Sequence, residues 1–145
     1  MSTQFGTTVL DAVSRLITPF MLMFGAYVVI HGHYSPGGGF QGGVIFAVAV
    51  ILARLVHGRD ARWGLRPPIA LGLACAGAGL YMAIGFLGLL FQGNFLDYGM
   101  LPLPLNGAEV RAVGTLGIEI GVALAVTGVL TLIFDALAGM PDEEI

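Results

Sequence analysis

Apolar residues run almost without interruption through four stretches of the chain, approximately residues 13–30, 40–56, 69–91 and 113–134. A helix needs about 20 apolar residues to cross the hydrocarbon core of a bilayer, with a range of roughly 17 to 25. These runs do not alternate with a period of two, as membrane-spanning strands would. The pattern therefore predicts an all-α membrane protein in which residues 1–145 form a single membrane domain with four transmembrane helices.

Composition strengthens this prediction and narrows the function classes. Hydrophobic residues make up 57% of the chain and charged residues 10%, and the mean hydropathy is +0.89. Soluble domains carry about 25% charged residues, so the surface of this chain is too apolar for water. All six basic residues are arginine and none forms a long basic patch, which argues against a nucleic-acid partner. The single cysteine, Cys75, is read as a small packing residue.

The placement of arginine predicts the orientation in the membrane. The connection between helices 2 and 3 carries Arg59, Arg62 and Arg66, with Arg54 just before it, whereas the helix 3–4 loop carries only Arg111. By the positive-inside rule the arginine-rich connection is cytoplasmic. Four spans then place both termini in the cytoplasm and the helix 1–2 turn on the extracytoplasmic side of the membrane.

A glycine-rich turn joins helices 1 and 2, and it is the most distinctive segment of the sequence. It runs through His31-Gly-His33-Tyr-Ser-Pro36-Gly37-Gly38-Gly39-Phe40-Gln41-Gly42-Gly43. Proline fixes φ at the entry to the turn, and glycine permits positive φ and close approach to another surface. The segment is therefore predicted to be a tight, shaped junction that docks a partner subunit.

Stripes of small residues predict close helix packing. Helix 3 carries Cys75, Gly79 and Ala83 at four-residue spacing, next to Ala74 and Ala78. Helix 4 carries Gly117, Gly121 and Ala125 at the same spacing. In membranes, helices associate through close backbone approach and polar contacts rather than through the hydrophobic effect. One interpretation is that the two stripes pack on each other. They account for only part of the glycine content, which favours a role as one part of a larger membrane assembly.

Glu119 is the carboxylate that lies well inside an apolar stretch. An ionised group at that depth costs roughly 2.5 kcal/mol or more unless a partner or water stabilises it. Thr115 and Ala123 lie one turn to either side, and they form the coherent part of a four-residue row that drifts around the helix. One interpretation is a protonatable or cation-facing site, with Glu119 and Thr115 along the ion pathway. The other is a neutral carboxyl group that only anchors a neighbouring helix.

The remaining motifs do not predict catalysis. His31 and His33 are two residues apart, with neither a cysteine pair nor an acidic residue in the turn, so no metal site is expected. A proton-relay role for the two histidines stays open, although they can simply satisfy backbone carbonyls of the turn. Gly37-x-Gly39-x-x-Gly42 matches a dinucleotide fingerprint, but no strand precedes it. No cofactor and no enzymatic activity are expected.

The turn closely resembles the signature of the MnhB family, the small B component of multisubunit Mrp-type sodium/proton antiporters. The resemblance covers Gly32-His33-x-Ser35-Pro36 and continues through Gly37-Gly38-Gly39-Phe40-Gln41-Gly42-Gly43. Chain length, the four spans and the stretch Glu119-Ile-Gly-Val122 are also similar to the family. Within the turn, the matching positions are His33, Pro36, Gly37, Gly38, Gly39, Phe40 and Gln41.

The resemblance implies an accessory membrane subunit needed for assembly of a cation/proton antiporter. Its partners would be the other antiporter subunits and the lipid bilayer, and the complex would exchange sodium ions for protons. In the family, the large A and D subunits hold the proton channels lined by lysine and glutamate, and this chain has no lysine. Two alternatives stay open: the same module in a hydrogenase- or sulfur-reductase-linked ion-translocating complex, and a purely structural scaffold.

Overall fold

Four long helices form the protein in a computed structural model that describes residues 8–32, 34, 37–58 and 61–138. They are α1 (Thr8–His31), α2 (Gly39–His57), α3 (Pro67–Leu90) and α4 (Gly107–Leu137). Each is long and apolar enough to cross a membrane. The predicted fold class, an all-α protein with four candidate membrane-spanning helices, is confirmed. The helices extend past most of the predicted spans, and which residues of each lie in the bilayer stays a prediction.

The helices pack in the spatial order α1, α2, α4, α3. α2 contacts α1 on one side and α4 on the other, and α4 in turn contacts α3. Among the described residues α1 and α3 do not meet. The α2–α4 contact is therefore the centre of the molecule, and both the glycine turn and Glu119 belong to it.

Small residues allow the backbones of neighbouring helices to touch. Ala47, Ala49 and Ala53 of α2 are at most 1% exposed. A Cβ added at Gly43 of α2 would lie 2.8 Å from the carbonyl oxygen of Ala123 in α4. A gap that narrow excludes even a methyl group, so glycine and alanine set how closely these helices approach.

Small residues of helices 3 and 4 do pack on each other, but the contact includes only part of the set named for helix 3. In α4, Gly121 and Ala125 do face α3, where they meet Gly77. In α3, however, Cys75 is exposed and a Cβ at Gly79 would meet nothing within 4 Å. The α3 residues that meet α4 include Ala70, Ala74 and Gly77, so the contact runs beside the row of Cys75 and Gly79, and spacing alone does not show which face of α3 meets α4.

The connection between α3 and α4 folds back on the two helices that it joins. The ring of Phe95 lies against Gly85 of α3 and packs edge-on to Phe86, with ring centroids 5.8 Å apart. Tyr98 lies in a single 3₁₀ turn, Tyr98–Met100, and contacts Gly114 of α4. The apolar residues of this connection are thus partly accounted for by packing within the chain.

Candidate functional site

The glycine turn closes between His31, the last residue of α1, and Gly39, the first residue of α2. Gly38 has φ of 125°, a conformation that disfavours residues with a Cβ atom. The carbonyl oxygen of Gly38 accepts a hydrogen bond from the Gly42 amide at 2.9 Å, which starts the α2 ladder. The predicted motif residues His33 and Pro36 lie outside the described residues.

The side chain of Glu119 lies against the backbone of this turn. A Cβ added at Gly32 would lie 2.6 Å from Oε2 and 2.8 Å from Oε1 of Glu119, and one at Gly38 would lie 3.3 Å from Oε1. A Cβ at Gly39 would clash with the Glu119 carbonyl group. Oε2 is inaccessible to solvent. The glycine turn and Glu119, which are far apart in the sequence, therefore lie in contact. Glycine is needed at three turn positions because Glu119 occupies the space beside them.

Of the other motif residues that the structure describes, some are buried between helices and some are exposed. Gly42 and Gly43 are buried, the first against Val29 of α1 and the second against α4. Phe40 is 63% exposed, and Gln41 and Gly37 are also exposed. The buried glycines thus hold three helices together, while the side chains of Phe40 and Gln41 are exposed.

His31 makes local contacts at the end of α1. Its Nδ1 donates to the carbonyl oxygen of Tyr27 at 3.1 Å, and its ring stacks on that of Tyr27 with centroids 4.2 Å apart. Within the described part of the chain, no group of three or more His, Cys, Asp or Glu side chains is placed to hold a metal ion.

Below Glu119, a polar row continues along the face of α4 that meets α2. Thr127 and Thr131 are buried, and Oγ1 of Thr127 donates to the carbonyl oxygens of Ala123 at 2.6 Å and Gly43 at 3.2 Å. Thr131 donates to the Thr127 carbonyl at 2.8 Å. The expectation that only the Thr115–Ala123 part is coherent is wrong, because residues four apart form an oblique ridge that a crossing helix can follow.

Thr115, predicted to line the ion pathway with Glu119, is half-buried one turn nearer the start of α4. Thr115 lies on the same four-residue ridge of α4 as Glu119. The buried hydroxyl groups of that ridge belong to Thr127 and Thr131, which follow Glu119 in the helix.

At its far end the row reaches a buried ion pair that sequence reasoning missed. Asp135 of α4 pairs with Arg54 of α2, and their side chains are 9% and 4% exposed. Sixteen residues separate Asp135 from Glu119, about 24 Å along a helix. The sequence does carry a signal, since Asp135 continues the four-residue spacing from Glu119. The spacing is easily missed because Asp135 falls one residue beyond the apolar stretch. Arg54 is used only to predict the orientation in the membrane, not as a partner for a buried carboxylate.

A second polar cluster joins α1 to α2 at the arginine-bearing end. His57 lies with Nδ1 at 2.9 Å from an Asp11 carboxylate oxygen and Nε2 at 3.0 Å from the Ser14 hydroxyl. Ser14 and Thr18 are almost completely buried. His57 is half-buried and bridges the two helices.

The fold and the site define a class: a small multi-pass helical membrane protein with a carboxyl group enclosed by a glycine turn. The family model described as "Domain related to MnhB subunit of Na+/H+ antiporter" matches residues 9–132. The chain therefore belongs to the MnhB family, as the turn motif predicts.

Relatives with assigned names agree with this family. The chain is 30% identical over 131 residues to the B component of the Na(+)/H(+) antiporter of Bacillus subtilis, covering 89% of this chain and 91% of the relative. It is 33% identical over 133 residues to the putative antiporter subunit mnhB2 of Staphylococcus haemolyticus, covering 90% and 94%.

A solved structure is also similar. It is a chain of the membrane-bound sulfane sulfur reductase, an archaeal respiratory membrane complex, with a TM-score of 0.58 and 29% sequence identity. The match covers 87% of this chain and 57% of that one. The chain thus spans a little over half the length of its structural relative.

Proposed function

We propose that this protein is an accessory membrane subunit of a multisubunit cation/proton antiporter, and that Glu119 lies beside the cation route of that complex. Family membership and the names of the relatives support the first part. The enclosure of Glu119 by Gly32, Gly38 and Gly39 carries the second, because it places a carboxyl group within a bundle of apolar helices. We expect no enzymatic activity of the chain itself.

The transported species are proposed to be sodium ions and protons. A carboxyl group can hold either, and in an apolar site each stabilises it against the cost of burial. Thr115, one turn away, offers a hydroxyl oxygen on the same ridge of α4. In the scaffold alternative, Glu119 stays neutral and only fixes the turn against α4.

The outward-facing part of the motif is proposed to dock another subunit of the complex. Phe40 and Gln41 are exposed at the start of α2, and the glycines beside them hold that end of the helix in a fixed position. An aromatic and an amide side chain on a rigid helix end suit a protein interface. In the sequence, His31 and His33 belong to the same turn motif as Phe40 and Gln41.

The experiment that tests the ion-path proposal is Glu119→Gln in the complete complex, compared with Glu109→Gln. Both variants remove one carboxylate from α4. Glu109 is exposed and caps the helix start, where its Oε2 accepts from the Asn106 amide at 3.4 Å, and glutamine serves in such a capping box as well. We expect Glu119→Gln to assemble normally and lose sodium-dependent proton exchange, and Glu109→Gln to retain it. Normal exchange by an assembled Glu119→Gln complex would leave the scaffold alternative.

The structural relative favours a second candidate, in which the same module belongs to a redox-linked ion-translocating complex. That relative is a chain of a respiratory sulfur reductase. Purification of the complex with its neighbouring subunits distinguishes the two candidates, since a redox-linked complex carries electron-transfer subunits and an antiporter does not.

A further inference from the structure

We propose that the arginine-bearing end of the bundle carries a binding site for the phosphate of an anionic phospholipid. A pocket of about 210 Å³ opens there between the start of α1, the end of α2 and the connection to α3. We call it the headgroup pocket, and it is lined by Arg15, Thr18, His57, Ala61, Arg62 and Trp63.

The wall of the headgroup pocket is held in place by buried contacts. Nη1 of Arg54 donates to the carbonyl oxygen of Leu65 at 3.1 Å, and a Cβ at Gly64 would lie 3.0 Å from Cγ of Arg54. Ala61 is only 8% exposed. The buried Arg54 thus holds Gly64 and Leu65, the two residues that directly follow Arg62 and Trp63 in the connection.

Among the described residues around the pocket, the two guanidinium groups of Arg15 and Arg62 exceed the single carboxylate of Asp11. Asp11 accepts from Nε of Arg15 at 3.0 Å, which balances one guanidinium group while leaving the Nη edge of Arg15 for a ligand. Arg62 lies over the ring of Trp63, with Cζ 5.5 Å from the centroid. A single phosphodiester, with one negative charge, matches the net charge better than a multiply charged ligand does.

The position of the pocket identifies the source of that phosphate. It lies beside the first three turns of α1 and at the end of α2, where the chain leaves one candidate membrane helix for the next, and we take that end of the bundle as the level of the lipid headgroups. Trp63 is 41% exposed, and tryptophan is enriched at that level. Basic pockets between membrane helices are known to bind phosphate-bearing headgroups. A phospholipid such as phosphatidylglycerol supplies the phosphate at high local concentration, whereas a free phosphate ion would have to come from solution.

Photolabelling of the full chain in its purified complex tests this assignment. The complex is placed in bilayers that contain phosphatidylglycerol or phosphatidylcholine, each with the same photoreactive group near its glycerol. We expect phosphatidylglycerol to label the segments around Arg15 and Trp63 preferentially. Arg62→Gln should lower that labelling about fivefold, since one arginine near the surface contributes about that factor to binding of anionic lipid.

Arg66→Gln is the matched control, because Arg66 is exposed in the same connection and does not line the pocket. Retained labelling in Arg66→Gln supports a defined site. An equal loss of labelling in both variants would show that the lipid responds only to general surface charge, and would overturn the proposal. Equal labelling by the two lipids in the unmodified chain would also overturn it. Displacement of the label by inorganic phosphate alone would assign the pocket to the free ion instead of the lipid.

Discussion

Gly39 is the residue at which the sequence motif, the helix packing and the candidate ion site meet. It begins α2, it is buried, and its missing side chain leaves room for the backbone of Glu119. The position of the carboxyl group therefore depends on a residue that carries no chemistry of its own.

Gly39→Ala is expected to impair assembly or to displace Glu119. The added methyl group would clash with the Glu119 carbonyl group, and overpacking of this kind costs typically about 1–3 kcal/mol. Gly72→Ala is the matched control, since a Cβ there meets nothing of this chain within 4 Å. Thermal stability and yield of the purified complex give the measurement. Equal stability of the two variants would show that the close contact at Gly39 is unimportant.

At the scale of the elements, the α2–α4 contact carries a polar row from the glycine turn to a buried ion pair. Its middle consists of threonine hydroxyl groups that donate to backbone carbonyls of α4 and α2. Small residues on α2 allow the close approach that these hydrogen bonds need. The row ties α2 to α4 at both ends.

Removing one member of the ion pair should cost more than removing both. Asp135→Leu leaves the charge of Arg54 buried without its carboxylate, and breaking a buried pair in this way costs about 3–5 kcal/mol. The double variant Asp135→Leu with Arg54→Met replaces both charges by apolar side chains, so much of the stability is expected to return. Thermal unfolding of the complex in detergent measures both. A double variant that is less stable than Asp135→Leu alone would contradict the argument.

The threonine row gives a finer test of the same contact. Thr127 donates to α2 as well as to its own helix, whereas the hydrogen bond that Thr131 donates stays within α4. Thr127→Val is therefore expected to weaken the α2–α4 contact more than Thr131→Val, by about 0.6 kcal/mol, the average for such bonds in membranes. Unfolding of the two variants side by side measures the difference, and a larger loss in Thr131→Val would contradict it.

How much the sequence could predict depends on whether a feature is carried by one helix or by two. The four helices, and the turn between the first two, follow from apolar length and glycine placement along the chain. The contact of Glu119 with Gly32 and Gly38, and the pairing of Arg54 with Asp135, needed the order in which helices pack. A stretch of sequence shows that a charge is buried, but not which neighbour it meets.

In the molecule as a whole, the charged groups discussed above lie at two opposite ends of the helix bundle. The glycine turn and the enclosed Glu119 lie at one end of the α2–α4 contact, and the ion pair and the arginine-bearing connection lie at the other. With the proposed orientation, Glu119 is near the outer face of the membrane and the headgroup pocket is in the cytoplasmic leaflet. A cation that reaches Glu119 would then enter from outside the cell.

Thiol labelling of intact cells tests this orientation. Cys75, the single cysteine of the chain, is first replaced by serine, and one cysteine is then introduced at Asn94 or at Pro68. Both positions are exposed, at the two ends of α3. A maleimide that cannot cross the membrane is expected to label Asn94→Cys in intact cells and Pro68→Cys only after permeabilisation. The reverse pattern would invert the protein and place Glu119 on the cytoplasmic side, where a cation would have to approach it from within the cell.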